Sequence, residues 1–306
     1  MMDCERFAPW ISDETRAHFR DEFGSRSTPP SGIAALRLHY DAFNRRHLEV
    51  ALATYPVDIA HGQLGGVSVN VVTPKGAVGQ RMLLCLHGGG FMWGRGAGAL
   101  LEAVPIAATS GMRVIAVEYA LAPEQVFPAA VDDVVAVYQA ACAERPATQI
   151  GIYGCSAGAV LTAQATARVL ADGLPVPGAI AMLCGAGLEM AGDSTITAAA
   201  LTGQPEPPSF VALPYFAQAD LADPLVLPGN HAGVLARFPP SLLVTGTRDF
   251  AASSVTVMHR RLVAAGADAS LLHFDGMWHA FHMATGLPEA RETFAVMAGF
   301  FEKHLA

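Results

Sequence analysis

Gln149-Ile150-Gly151-Ile152-Tyr153-Gly154-Cys155-Ser156-Ala157-Gly158 reads as a short apolar strand running into a serine held between two glycines. A helix-like run from Ala159 to Ala171 follows at once. Gly-x-Ser-x-Gly between a strand and a helix marks a sharp turn that presents its serine. Such a turn leaves no space for side chains at its flanks, which accounts for glycine at 154 and 158. Ser156 Oγ is thereby lifted out of the sheet to where a base can reach it. A hydroxyl is a weak nucleophile until a base takes its proton. The rest of the chain must then supply a histidine, an acid to orient it, and donors for a developing oxyanion.

Upstream, the buried-strand run Met82-Leu83-Leu84-Cys85-Leu86 leads into His87-Gly88-Gly89-Gly90. Three glycines allow backbone N–H groups to converge without side-chain obstruction, and such donors stabilise negative charge in a tetrahedral intermediate. A phosphate-cradling loop is the competing reading. It is disfavoured because Phe91-Met92-Trp93 follows instead of Lys-Ser/Thr. Phe91, Met92 and Trp93 either line a pocket or pack in the core. The N–H of Ala157, one residue past the serine, is the expected third donor.

Downstream, the strand Ser241–Thr245 is followed by Gly246-Thr247-Arg248-Asp249. Asp249 then lies at a strand's carboxyl end, where parallel sheets place their sites. Its alternative role is to cap a helix beginning near Ala251. The next strand, Leu271–Phe274, leads to Asp275-Gly276-Met277-Trp278-His279-Ala280-Phe281-His282. His279 and His282 compete as the base. His279 is preferred because it comes first after Gly276, and His273 is expected to pack within its strand. A His pair at this spacing without neighbouring carboxylates is a weak metal site.

Eight β-branched runs lie between residue 57 and Phe274, most of the later ones separated by helical Ala/Leu/Val segments. That alternation predicts an α/β chain: a mostly parallel eight-stranded sheet with helices on both faces. The first two runs, Val57–Ala60 and Val67–Thr73, are joined closely and should form an antiparallel hairpin at one edge. Two helical stretches precede them, Ser12–Phe23 and Gly32–Leu52, around a break at Ser27-Thr28-Pro29-Pro30-Ser31. Between Gly185 and Pro240 the alternation stops, and the Pro-rich Gly203–Pro208 falls inside that interval. The expected organisation is an N-terminal cap element, 1–52; the first part of the core, 53–184; a cap insertion, 185–235; and the second part of the core, 236–306.

Hydrophobic residues make up 52% of the 306 and charged residues 15%, which favours a large buried core. The net charge of −8 argues against nucleic acid or anionic membrane as partner, since both call for basic patches. No secretory leader and no membrane span are evident, and a cytoplasmic protein without stable membrane insertion is expected. Cys4, Cys85, Cys142, Cys155 and Cys184 show no zinc or disulfide spacing.

His87-Gly88-Gly89-Gly90, the Ser156 turn, Asp249 and His279 together resemble the hormone-sensitive-lipase-like (bacterial family IV) carboxylesterases of the α/β-hydrolase fold. Glu118-Tyr119-Ala120-Leu121-Ala122-Pro123-Glu124 and Phe127-Pro128-Ala129-Ala130-Val131-Asp132-Asp133 are similar to further segments of that family, as is Tyr215-Phe216 through Asp223-Pro224. The resemblance runs from about residue 55 to the end of the chain. It implies a serine carboxylesterase with a Ser156–Asp249–His279 triad and an oxyanion hole of Gly89, Gly90 and Ala157; the composition and the absence of an evident membrane anchor favour small esters with short acyl chains as substrates. The resemblance implies neither cofactor nor metal, and makes a homodimer plausible. Two departures stand out: Cys155 and Ala159 occupy variable places of the turn, and Ala120 stands where the family often has Arg. Cys155 is expected to point away from the site. The resemblance leaves lactone, amide or thioester hydrolysis open. It also leaves open a non-catalytic binding protein, as in the gibberellin receptors, which lack the catalytic histidine.

Overall fold

The computed structural model describes residues 7–24, 29–76, 79–202 and 209–306. Cys4, the Ser27-Thr28 part of the N-terminal break and the Gly203–Pro208 stretch lie outside them. Two helices open the chain, α1 (Asp13–Gly24) and α2 (Ile33–Thr54). The sheet and its helices follow in the order β1 (Val57–Leu64), β2 (Val67–Pro74), β3 (Met82–Leu86), α3 (Ala97–Ser110), β4 (Arg113–Val117), α4 (Ala129–Glu144), β5 (Ile150–Cys155), α5 (Ala157–Ala171) and β6 (Ala179–Leu183). After these come α6 (Asp193–Thr202), α7 (Ala232–Leu235), β7 (Ser241–Arg248), α8 (Ala252–Ala264), β8 (Ala269–Trp278) and α9 (Pro288–His304).

The eight strands form one sheet in the order β1-β2-β4-β3-β5-β6-β7-β8. β2 runs antiparallel to both its neighbours, and every other pairing is parallel. The expected edge hairpin is therefore present. Successive side chains of a strand point to opposite faces, and β3 shows the consequence. Met82, Leu84 and Leu86 join one apolar cluster with Val131 of α4, Val160 of α5 and Val255 of α8. Leu83 and Cys85 join a second with Leu101 of α3 and Phe294 of α9. Burial on both faces explains why the central strands are apolar throughout rather than alternating.

Parallel register brings several strand ends to one rim. Leu86 lies beside Gly154, Cys155 beside Leu183, and Leu183 beside Val244. The segments that follow β3, β5 and β7 leave from this rim, carrying His87-Gly88-Gly89-Gly90, Ser156 and Asp249. One expectation fails: His273 is exposed on the outermost strand β8, not packed. β8 also runs beyond Phe274 to Trp278, because an irregularity between Gly246 and Arg248 lets Arg248 pair with Trp278. Among the described residues no helix is long and apolar enough to cross a membrane.

Candidate active site

Ser156 sits between β5 and α5 with φ 56° and ψ −118°, a conformation that non-glycine residues rarely adopt. The turn is held because the backbones around it nearly touch. A Cβ on Gly158 would lie 1.8 Å from Leu86 O, and one on Gly154 would lie 2.5 Å from both Leu86 O and Gly158 O. Glycine at both positions follows from this crowding. The Ser156 N–H donates to Leu183 O at 2.8 Å, tying the turn to β6.

His279, directly after β8, connects the serine to the acid. Its Nδ1 lies 2.7 Å from Asp249 Oδ1, and its Nε2 lies 2.9 Å from Ser156 Oγ. A carboxylate only accepts, so Nδ1–H donates to Asp249 and Nε2 is left to accept the serine proton. Asp249 is fully buried. Burial pushes its carboxyl upward, but the facing imidazole charge and hydrogen bonds from His279, Ala251 N–H and Thr245 Oγ1 outweigh it and hold the pKa below the usual value. The Ala251 and Thr245 bonds measure 2.9 and 2.7 Å. Asp249 thus makes the contacts that both sequence readings call for, accepting from His279 and from an N–H at the start of α8.

The glycine loop lies against this group. A Cβ on Gly88 would be 3.4 Å from Ser156 Cβ. Gly89 has φ +113°, and a Cβ there would be 2.2 Å from Trp93 O, so both conformation and space call for glycine. Among the described residues, the N–H groups of Gly89, Gly90 and Ala157 meet no hydrogen-bond acceptor. His87 anchors the loop's start. It is buried, stacks on Tyr119 with ring centroids 4.2 Å apart, and its Nδ1–H donates to Gly88 O at 2.7 Å. Burial pushes its pKa down to about 4, so the ring is neutral.

Phe91 is wholly buried and stacks on Tyr215 at 4.0 Å, which settles it as core. Met92, Trp93 and Leu213 instead lie beside Gly90, each 3.6–3.8 Å from where its Cβ would be, an ordinary contact distance. Tyr40 of α2 stacks on Trp93 at 4.5 Å. Arg37 of α2 donates to Met92 O at 2.8 Å and pairs with Glu124 at 2.7 Å. Helix α2 and Leu213, from the segment between β6 and β7, thus both reach the glycine loop.

Sequence reasoning missed Phe250, which stacks on His279 with centroids 3.9 Å apart, and Thr245, which steadies Asp249. It also missed that Cys155, Cys184 and His282 meet behind the site, with ligand-type atoms within 4.8 Å of one another. Cys184, Asp249 and His279 form a second such group. Donating its S–H to Cys184, together with burial, pushes the Cys155 thiol well up, so it stays neutral. Burial pushes His282 down to about 3, leaving a neutral ring, and Cys184 Sγ accepts the Ala280 N–H at 3.3 Å. Neutral thiols buried behind the serine are neither activated nucleophiles nor, in that state, metal ligands. His282 faces this cluster and not Ser156.

The model of the α/β-hydrolase fold family matches residues 83–283, spanning the glycine loop, the serine turn and both downstream residues. The chain belongs to the α/β-hydrolase fold family. A candidate acetyl-hydrolase of Mycobacterium tuberculosis, LipR, is 31% identical to this α/β hydrolase over 79% of each chain. Among solved structures, the esterase E25 superposes with a TM-score of 0.82 at 29% identity, covering 98% of each chain. An esterase from the bacterial hormone-sensitive lipase family superposes at 0.80 with 26% identity, covering 94% of this chain and 96% of that one. Within the α/β hydrolases the protein is thus similar to the hormone-sensitive-lipase branch, as its sequence motifs imply.

Proposed function

We propose that this α/β hydrolase is a serine carboxylesterase that cleaves small esters with short acyl chains. The observation that carries the reading is the continuous path from Ser156 Oγ through the His279 ring to Asp249. In this reading Ser156 attacks the ester carbonyl while His279 Nε2 takes its proton. The N–H groups of Gly89, Gly90 and Ala157 hold the oxyanion, and Asp249 fixes the tautomer and stabilises the imidazolium. The imidazolium returns its proton to the departing alcohol. Water, deprotonated by the same Nε2, then releases the acid and frees Ser156. The chain's own residues supply every group these steps require.

The short-acyl part takes Met92, Trp93 and Leu213, which lie beside Gly90, as the walls that an acyl chain would meet. The candidate acetyl-hydrolase relative supports the same class. In the same reading, residues 1–52 and 185–235 cap the site, the protein works in the cytoplasm, and a second copy pairs through an edge strand of the sheet. Replacing Ser156 with Ala should lower p-nitrophenyl acetate turnover by about 10⁴ to 10⁶-fold with the circular dichroism spectrum unchanged. Near-normal turnover would remove Ser156 from the reaction. Across p-nitrophenyl esters, kcat/KM should fall beyond about six acyl carbons, each misfitting methylene acting on transition-state binding. A preference for long chains would sink the short-acyl assignment.

A further inference from the structure

We propose that Glu102 is a positioning residue that ties the oxyanion loop to the nucleophile strand, and so sets the geometry on which the esterase reading rests. Glu102 stands in the middle of α3, a helix with no other charged side chain. It is 5% exposed. A carboxyl group placed there is costly unless its oxygens are satisfied, and backbone N–H groups face them. Glu102 Oε1 accepts the Gly88 N–H at 2.7 Å, and the carboxyl lies near enough to the Cys155 N–H for that group to pull its pKa down.

These two donors come from the two elements that have to be held in register. Gly88 is the residue before Gly89 and Gly90, and Cys155 is the residue before Ser156. One rigid side chain thus sets the spacing between the loop that would hold the oxyanion and the serine that would create it. The loop is also fixed before this point by the His87 Nδ1–H bond to Gly88 O and the Tyr119 hydroxyl on His87 O, and beyond it by the Met92 and Trp93 N–H groups on Gly89 O, but Glu102 holds the Gly88 N–H itself. The effect of Glu102 belongs to the transition state, because donors displaced by a few tenths of an ångström still allow substrate to enter but no longer meet the oxyanion.

The charge state of Glu102 adds a signature that mere packing would lack. Burial pushes its pKa up to about 8, against the pull of the Gly88 and Cys155 N–H groups. The groups facing it are Cys85 from β3, Tyr119 from the segment after β4, and Tyr153 and Cys155 from β5. Burial pushes the first three up, and the Cys184 hydrogen bond together with burial does so for Cys155, so all four stay neutral and none compensates a carboxylate. Ionised Glu102 would set a negative charge beside donors that must receive another. Turnover should therefore fall as pH rises through about 8.

The test compares full-length wild type, E102Q and E102L in background-corrected p-nitrophenyl acetate hydrolysis from about pH 6 to about pH 9.5. E102L, which keeps bulk but loses both acceptors, should lower kcat by about 100-fold with KM within about threefold. E102Q keeps one acceptor and cannot ionise. It should retain kcat within about fivefold near neutrality and lose the alkaline decline. Unchanged kcat in E102L, a rise in KM alone, or the same alkaline profile in wild type and E102Q would overturn the proposal. If E102L does not fold, the E102Q profile decides. A wild type that hydrolyses no ester removes the esterase reading and this inference with it; an active wild type matched by its variants removes this inference alone.

Discussion

Asp249 accepts three hydrogen bonds in a space closed to water, from His279, Ala251 and Thr245. An amide in its place cannot serve three donors, because its NH2 only donates. In D249N the imidazole should turn to the tautomer whose Nε2 carries hydrogen, which no longer accepts from Ser156. We expect kcat to fall by about 10⁴-fold with KM little changed, read by steady-state hydrolysis of p-nitrophenyl acetate. A loss below about tenfold would mean that another group orients His279. Asp249 and His279 were legible in the sequence because each comes a few residues after an apolar strand run, at the carboxyl end of the sheet where such sites gather. Phe250, Thr245 and Glu102 were not. Their roles arise from which neighbours the folded rim brings within reach, and a glutamate in the apolar helix α3 carries no local pattern that names its partners.

At the scale of elements, the strand–turn–helix of β5 and α5 fixes the site more than any single interaction does. Its glycines respond to a crossing of backbones, with Leu86 O pressed onto Gly158. Because both sides of that contact are main chain, neither can rotate away. Gly158→Ala should therefore destabilise the fold by about 3 kcal/mol or more, through overpacking, and abolish activity in whatever fraction folds. Thermal unfolding followed by circular dichroism reads this directly, and a melting temperature within about 2 °C of wild type would refute the steric account. The same elements show where sequence patterning stops. Strands β3, β5 and β6 were legible because burial on both faces makes them uninterrupted apolar runs. The end of β8 was not, since Asp275-Gly276 reads as a turn. Pairing of Arg248 with Trp278 past the bulge carries the strand through it and delivers His279 at its tip. The packing of α2 on the glycine loop was equally hidden, because it depends on Arg37 and Tyr40 reaching distant residues.

For the whole molecule, groups buried around the site make folding itself sensitive to pH, with opposing signs. His87 and His282 have pKa values near 4 and 3 in the fold, against 6.5 ordinarily, both pushed down by burial. Below about pH 6.5 the unfolded chain takes up protons that the fold refuses, so their contribution is full above that pH and lost on acidification. Glu102 acts the other way, with a folded pKa of about 8 against 4.5. The fold keeps its proton while the unfolded chain releases it, so stability is full below about pH 4.5 and lost as pH rises toward 8. Each unmatched proton changes stability by about 1.4 kcal/mol per pH unit. Between about pH 4.5 and 6.5 the two histidines outweigh the one glutamate and stability rises; above 6.5 Glu102 acts alone among the three and stability falls. The melting temperature should therefore peak near pH 6.5. Scanning calorimetry across this range should show the alkaline decline flattened in E102Q and the acid decline made shallower in H282Q. Those differences from wild type isolate each group from the carboxylates that titrate elsewhere. A wild-type melting temperature constant from about pH 6.5 to 8, or a decline that E102Q retains, would show that Glu102 does not hold its proton in the fold.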